Sequence, residues 1–400
     1  MKYFSHLNTA VEILDLYDGK IPFHHFIKEF LKLNKKYGSK DRRSISRLCY
    51  AALRTGIAFP KWSIENRVRA GLFLCTDSPD PVTEQLIGDY NEIIASDRRE
   101  KWRVITESYQ NEFKTAAKPE KKIEAIFPVL PTEFSPELDS DEYLYSFFQQ
   151  PDLFLRIRPG YEKAVLDKLT DSGLTFELLP PAAIRLPINT RLEELLQADR
   201  EIVIQDYSSQ LTGSLLSGLP AGTRYVWDAC AASGGKSLLV ADMPGKIRLT
   251  VTDIRSSIIF NLEKRFLQAG IKNYHAYVAD LAGESPLPFD QQQDLVIADV
   301  PCSGSGTWSR TPEQLSFFNS SSVDDYQYLQ QKILHRIVPM IKPGGFLLFI
   351  TCSVFRKENE DNIDFLLSSF GMKLLDQKLI KGYRLKADTM FAGLLQKSDE

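Results

Sequence analysis

The sequence predicts an α/β protein: a C-terminal domain on a mostly parallel sheet, preceded by a small α+β domain and an all-α N-terminal domain. Three observations carry this. From about residue 201, short apolar runs alternate with helical stretches, as βαβ units require. Residues 1–115 repeat apolar side chains at helical spacing. Between them, 118–151 carries Pro119, Pro128, Pro131, Pro136 and Pro151, and period-two alternation begins just after it.

Taken in order, Leu7, Ala10, Val11 and Leu14 mark a first helix by their i, i+3, i+4, i+7 spacing. Phe23, Phe26, Ile27, Phe30 and Leu31 mark a second. Ile45, Leu48, Cys49, Ala52 and Leu53 mark a third, which Gly56 should stop. Ser78-Pro79-Asp80-Pro81 interrupts the pattern, and a further helical stretch covers roughly 82–115. The proline-bearing 118–151, with its acidic patch from Glu137 to Glu142, reads as a linker. Phe154–Arg158 alternates like a strand, 160–173 reads as a helix and Ile184–Leu186 as a later strand. Beyond 201 the expected strands are Tyr225–Ala229, Leu249–Asp253, Tyr274–Asp280, Asp294–Asp299 and Phe346–Thr351. Helices follow the first, second and last, and one precedes Pro343-Gly344-Gly345. The expected domains are 1–117, 152–202 and 203–400, with 118–151 joining the first two.

Composition excludes several classes. Hydrophobic residues at 43% and charged residues at 25% are ordinary for a globular chain. The start lacks a secretory apolar run, and apolar runs such as Phe346–Ile350 are strand-length. A cytoplasmic protein with no membrane partner is expected. Five scattered cysteines, Cys49, Cys75, Cys230, Cys302 and Cys352, are not a disulfide framework. The five histidines have no zinc spacing, so no metal is expected. The net charge of −3 decides nothing about nucleic acid, but residues 1–60 hold eleven Lys/Arg against five acids. That bias has two readings, a solvated helical surface or an RNA-facing one.

A strand ending at Asp228 runs into Cys230-Ala231-Ala232-Ser233-Gly234-Gly235-Lys236 and then a helix. Glycines there permit a tight turn and close backbone approach to a ligand. A phosphate-binding loop would need glycine where Cys230 stands. Asp253, Asp280 and Asp299 end successive strands at the edge where open α/β sheets bind ligands, although any one of them alone also fits a helix cap. Cys302, in Pro301-Cys302-Ser303-Gly304, follows Asp299 on that edge. Cys352, in Thr351-Cys352-Ser353 ahead of Glu358-Asn359-Glu360, closes the next strand.

With both cysteine motifs and the glycine turn, the chain resembles the RsmB/NOP/Sun (Fmu) family of 5-methylcytosine RNA methyltransferases, closest to its RsmB-like ribosomal members. The likeness is specific over about 203–362, beginning at Gln205-Asp206. It implies a Rossmann-like class I methyltransferase domain using S-adenosylmethionine, held by Cys230–Lys236, Asp253, Asp280 and Asp299. It also implies Cys352 as nucleophile, Cys302 as the residue assisting release and Asp299 as the contact to the cytosine edge. Having both cysteines points to the RNA class rather than the DNA one. One departure is Ser233, where the family usually has proline, so a looser turn is expected.

The resemblance extends more faintly to 152–202, as a small RNA-binding-type domain, and to 1–117, as a NusB-like helical domain. Arg42, Arg43, Arg47 and Arg54 are the expected RNA-backbone contacts there. In the loop after Cys302, Arg310 is expected at a phosphate, and Trp308 is open to two readings, base stacking or a packing anchor. Lys386–Phe391 reads as a late hairpin strand. The expected activity is methylation of cytosine carbon 5 in RNA, small-subunit rRNA first, by a monomer. The alternatives are a tRNA cytosine-5 methyltransferase and a non-catalytic RNA-binding ribosome assembly factor.

Overall fold

The computed structural model describes residues 2–113, 115 and 117–399; Met1, Lys114, Ala116 and Glu400 lie outside the described residues. Its contacts divide the chain into two compact units. One comprises Met1–Thr132, Asp139–Gln150 and Trp308–Ser320, the other Glu133–Leu138, Pro151–Thr307 and Ser321–Glu400.

The first unit is helical. Lys2–Leu16, Phe23–Leu33 and Ser39–Leu53 realise the three expected helices. A further helix, Ile64–Cys75, is capped by the Ser63 hydroxyl, which accepts the Asn66 N–H. It packs against Ser39–Leu53 at Gly71, where a Cβ would run into the backbone of Ala51 and Ala52. The helical stretch expected over roughly 82–115 is in three pieces: Pro81–Leu86, a 3-10 segment Gly88–Ile93 and Arg98–Phe113. Gly88 breaks it by taking a φ of 53°. The proline-bearing segment is structured: it forms a helix at Ser140–Ser146 and buries Ile126, Phe127, Leu144, Phe147 and Phe148.

The second unit holds two sheets. Strands β1 (Leu153–Ile157), β2 (Glu177–Leu179), β3 (Ala183–Leu186) and β4 (Ile202–Ile204) form an antiparallel sheet in the order β2-β3-β1-β4. The helix Glu162–Asp171 covers it through Val165 and Leu169.

The larger sheet contains β5 (Tyr225–Asp228), β6 (Arg248–Asp253), β7 (Tyr274–Val278), β8 (Gln293–Asp299), β9 (Ile341–Thr351), β10 (Lys373–Lys381) and β11 (Thr389–Gln396). Their order is β10-β11-β9-β8-β5-β6-β7. The run from β9 to β7 is parallel, and β11 returns antiparallel against β9 and β10. The order reverses between β5 and β8, so a crevice opens beyond their carboxyl ends. Val226, Val251, Ile297, Leu348 and Ile350 form part of the core beneath.

Two strand boundaries of the larger sheet differ from expectation by more than one residue. β7 stops at Val278, so Asp280 lies two residues past it. β9 starts at Ile341, taking Pro343-Gly344-Gly345 into the strand as an irregular stretch where its register with β8 shifts.

Candidate active site

The glycine turn is shaped by backbone conformation. Ala232 has φ 44° and Gly234 φ 83°, both left-handed, and Gly234 caps the helix Gly235–Ala241. The Ala231 N–H donates to Thr252 O and the Ala232 N–H to Asp253 Oδ2, tying the turn to β6. The Ser233 carbonyl accepts from Arg265 at 2.5 Å, and Arg265 also pairs with Asp199.

Asp253 closes β6, but its carboxylate is already occupied. Arg255 pairs with it at 3.0 Å, and the Arg255 and Ala232 N–H groups donate to it. Burial would lift its carboxyl, but the Arg255 contacts prevail and hold it below the usual range. Asp280 is exposed and accepts the Ala282 N–H. Asp228 is fully buried, accepts the Ser237 hydroxyl at 2.6 Å, and leaves Oδ1 without a partner. Burial pushes its carboxyl up to about 7.

Lys236, buried at the start of its helix, donates to Asp299 Oδ2 at 3.0 Å and to Ser209 Oγ at 2.8 Å. Its charge therefore serves Asp299 rather than a cysteine. Gln205 bonds to Ser209 in turn, at 3.0 Å.

The two cysteines expected at one edge meet there. Cys302 Sγ lies 3.3 Å from Cys352 Sγ. β8 and β9 are adjacent, in register from Leu295↔Phe346 to Asp299↔Ile350, so the loops after them emerge side by side. The contact with Cys352, burial, and the nearby Glu358 charge together hold the Cys302 thiol well above its usual range. Cys230, pushed up by burial and three neighbouring aspartates, is an inert thiol in the turn.

The expected RNA contacts fare unequally. Arg43 and Arg310 are exposed. Arg42 donates to Tyr37 O at 2.9 Å, and Arg47 pairs with Asp80 at 2.6 Å and bonds Thr76. Arg54 cannot reach RNA: it is buried, and its guanidinium donates to the carbonyls of Phe147, Gln149 and Ser309. Trp308 cannot stack on a base either. It is 1% exposed and packs on Phe127 and Phe318, which makes it the anchor. Helical spacing reports which side chains share a face, but not which face is covered.

Residues to which the sequence assigned no role, some of them inside the quoted motifs, also build the site. Ser209, Gln205, Arg265 and Arg255 hold Lys236, Asp253 and the glycine turn, and Ser303, Ser353 and Glu358 hold the cysteine loops. Glu358 stood in the motif quoted after Cys352, but its partner loop lies far away in the chain. Among the described residues no cluster suited to a metal ion exists, and no helix is long and apolar enough to cross a membrane.

Residues 219–392 match the family described as 16S rRNA methyltransferase RsmB/F. Ribosomal RNA small subunit methyltransferase B of Enterobacter sp. (strain 638) is 24% identical over 369 residues, covering 83% of each chain. Its counterpart in Salmonella paratyphi C is 26% identical over 375 residues, again covering 83% of each. Among solved structures, PH0851 superposes with a TM-score of 0.69 over 99% of this chain and 98% of its own, at 19% identity. NSun6 from Pyrococcus horikoshii, solved with SFG, does so with a TM-score of 0.55 over 66% of this chain and 95% of its own, at 13% identity. At such identities these structures speak for the fold.

Proposed function

We propose, from the match of residues 219–392 to the RsmB/F methyltransferase family, that this chain transfers a methyl group from S-adenosylmethionine to carbon 5 of a cytosine in RNA. Small-subunit rRNA is the proposed substrate, since the relatives matched over 83% of their length bear that name. The observation that carries the chemistry is the 3.3 Å approach of Cys302 and Cys352 at the sheet edge that also holds Asp299.

The turn fits the cofactor. A Cβ on Gly235 would meet only Gln205, at 3.8 Å, so the turn leaves room against its backbone. Asp253 ends β6 and Asp280 lies two residues past β7, where carboxylates can accept from ribose and adenine donors. Arg255, largely exposed, would have to yield part of its grip on Asp253 for a ribose to bond there. Lys236 is committed to Asp299, so the turn is not arranged as a phosphate cradle. When bound, S-adenosylmethionine supplies an electrophilic methyl group.

Cytosine carbon 5 is a poor nucleophile. The Cys352 thiolate forms a bond to carbon 6, and the ring electrons move to carbon 5, which can then attack the methyl group. Asp299, oriented by Lys236 through Oδ2, turns Oδ1 to the N3/N4 edge of the base. Loss of the carbon 5 proton to a base and departure of Cys352 sulfur restore the aromatic ring. Cys302, held as a thiol until Cys352 is engaged, assists that release. The target base has to be unpaired or flipped out to reach the sulfurs.

Labelled methyl transfer into small-subunit rRNA, tRNA and single-stranded DNA, with Cys352→Ala alongside, tests this. The expected result is 5-methylcytosine in rRNA that vanishes with Cys352→Ala while cofactor binding persists. Normal turnover by that variant would remove Cys352 as nucleophile. Cofactor binding with no label in any nucleic acid would favour the non-catalytic reading.

A further inference from the structure

We propose that Glu358 is a positioning residue that sets the separation of Cys302 and Cys352, a role that rests on the catalytic reading above. Glu358 is fully buried in the 3-10 turn Arg356–Glu358, just after the Cys352 loop. Its Oε1 accepts the Ser303 N–H at 2.7 Å and Gln330 Nε2 at 3.4 Å. Its Oε2 accepts the Ser303 hydroxyl at 2.5 Å and the Ser353 hydroxyl. Ser303 and Ser353 are the residues that follow the two cysteines, so one carboxylate grips both loops at the position next to each sulfur.

The clamp extends outward from there. Gln330 also donates to Pro301 O at 2.8 Å, which holds the residue before Cys302, and Asn362 fixes Gln330 at 2.6 Å. Ser305 bonds Ser353 and takes the Val354 N–H. Asn359 donates to Ser353 O and accepts from Thr351, bracketing Cys352 from the other side.

The chemistry selects a carboxylate. Two ionised oxygens offer about four lone-pair sites and no donor, and four protein donors point at them. None of those partners is a cation, and burial holds the Glu358 carboxyl above its usual range. A buried charge without a cation is costly and has to be repaid in hydrogen bonds. An apolar residue would fill the space without that cost, but could not join the two loops. The same charge helps keep Cys302 a thiol, as its release role requires.

The test reads the sulfur separation directly. Phenylarsine oxide condenses with two neighbouring thiols to form two As–S bonds and water, without redox change. The full-length protein, its Glu358→Gln variant and the Cys302→Ala and Cys352→Ala controls are titrated with it. Glu358→Gln is expected to bind roughly tenfold more weakly, because the thiols lose their effective concentration. Its kcat is expected to fall on the order of 100-fold with little change in the KM for S-adenosylmethionine. Wild-type arsenical affinity in a folded Glu358→Gln variant, whatever its turnover, overturns the proposal. If that variant does not fold, Ser303→Ala and Ser353→Ala decide: each is expected to weaken arsenical binding, and wild-type affinity in both overturns it. Failure of the catalytic reading shows elsewhere, as normal methyl transfer by Cys352→Ala.

Discussion

Asp228 shows how one residue can serve the fold at the expense of stability. It ends β5 at the reversal of strand order, fully buried, with Oδ1 unpartnered and its carboxyl raised to about 7. Because the folded pKa lies above the unfolded one, folding favours the protonated form. That contribution is complete below about pH 4 and is lost as pH rises to about 7, to the extent of on the order of 4 kcal/mol. Asp228→Asn cannot ionise and should escape the loss. Urea midpoints of both proteins from pH 4 to 8 should therefore diverge in favour of the variant as pH rises, and parallel curves would refute the assignment. The sequence revealed Asp228 only as the end of a strand. Cys302 and Cys352 were legible because each sits in a short motif whose glycines and serines are next to it in the chain. The role of Glu358 was not, because the Ser303 loop that gives it one follows another strand.

At the scale of elements, the site depends on how closely β9, β11 and the Cys302 loop are packed. Gly306 N–H donates to Cys352 O at 2.9 Å, and a Cβ on Gly306 would strike the Thr389 carbonyl at the start of β11 and crowd Cys352 O. Gly306→Ala must push these backbones apart. It should cost about 1–3 kcal/mol in unfolding free energy and move Cys352 as well, so that chemical denaturation and methyl transfer both report it. An unchanged denaturation midpoint would show that the strands have slack. The inner strands of this sheet were readable because β5, β6, β8 and β9 are largely buried on both faces, so apolar residues dominate β5, β8 and β9 and only small buried threonines interrupt β6. β10 escaped notice because Lys373–Lys381 is a polar edge strand whose outer residues face water. The helical stretch expected over 82–115 is first interrupted at Gly88, a local break that periodicity does not weigh.

For the whole molecule, the least legible feature is the path of the chain. It leaves the second unit after Thr307, five residues past Cys302, contributes Trp308–Ser320 to the helical unit and returns at Ser321. Local patterning cannot disclose this, since the partners of that excursion lie far back in the sequence: Trp308 packs on Phe127, Phe317 on Tyr17, and Glu313 accepts the Phe23 N–H. The segment Trp308–Ser320 therefore takes its packing partners from the helical unit, apart from any part that unit has in binding RNA. A chain beginning at residue 151 should leave Trp308 without its packing surface. Of the four tryptophans, that chain keeps only Trp227, buried in the sheet, and Trp308. Its emission should shift to the red, and Trp308→Phe in the shortened chain should abolish the shifted component. Methyl transfer should fall even on a short single-stranded RNA that needs no distant contacts. Unshifted emission with full activity on that RNA would mean that the Cys302 loop orders itself, and that the helical unit acts through substrate binding alone.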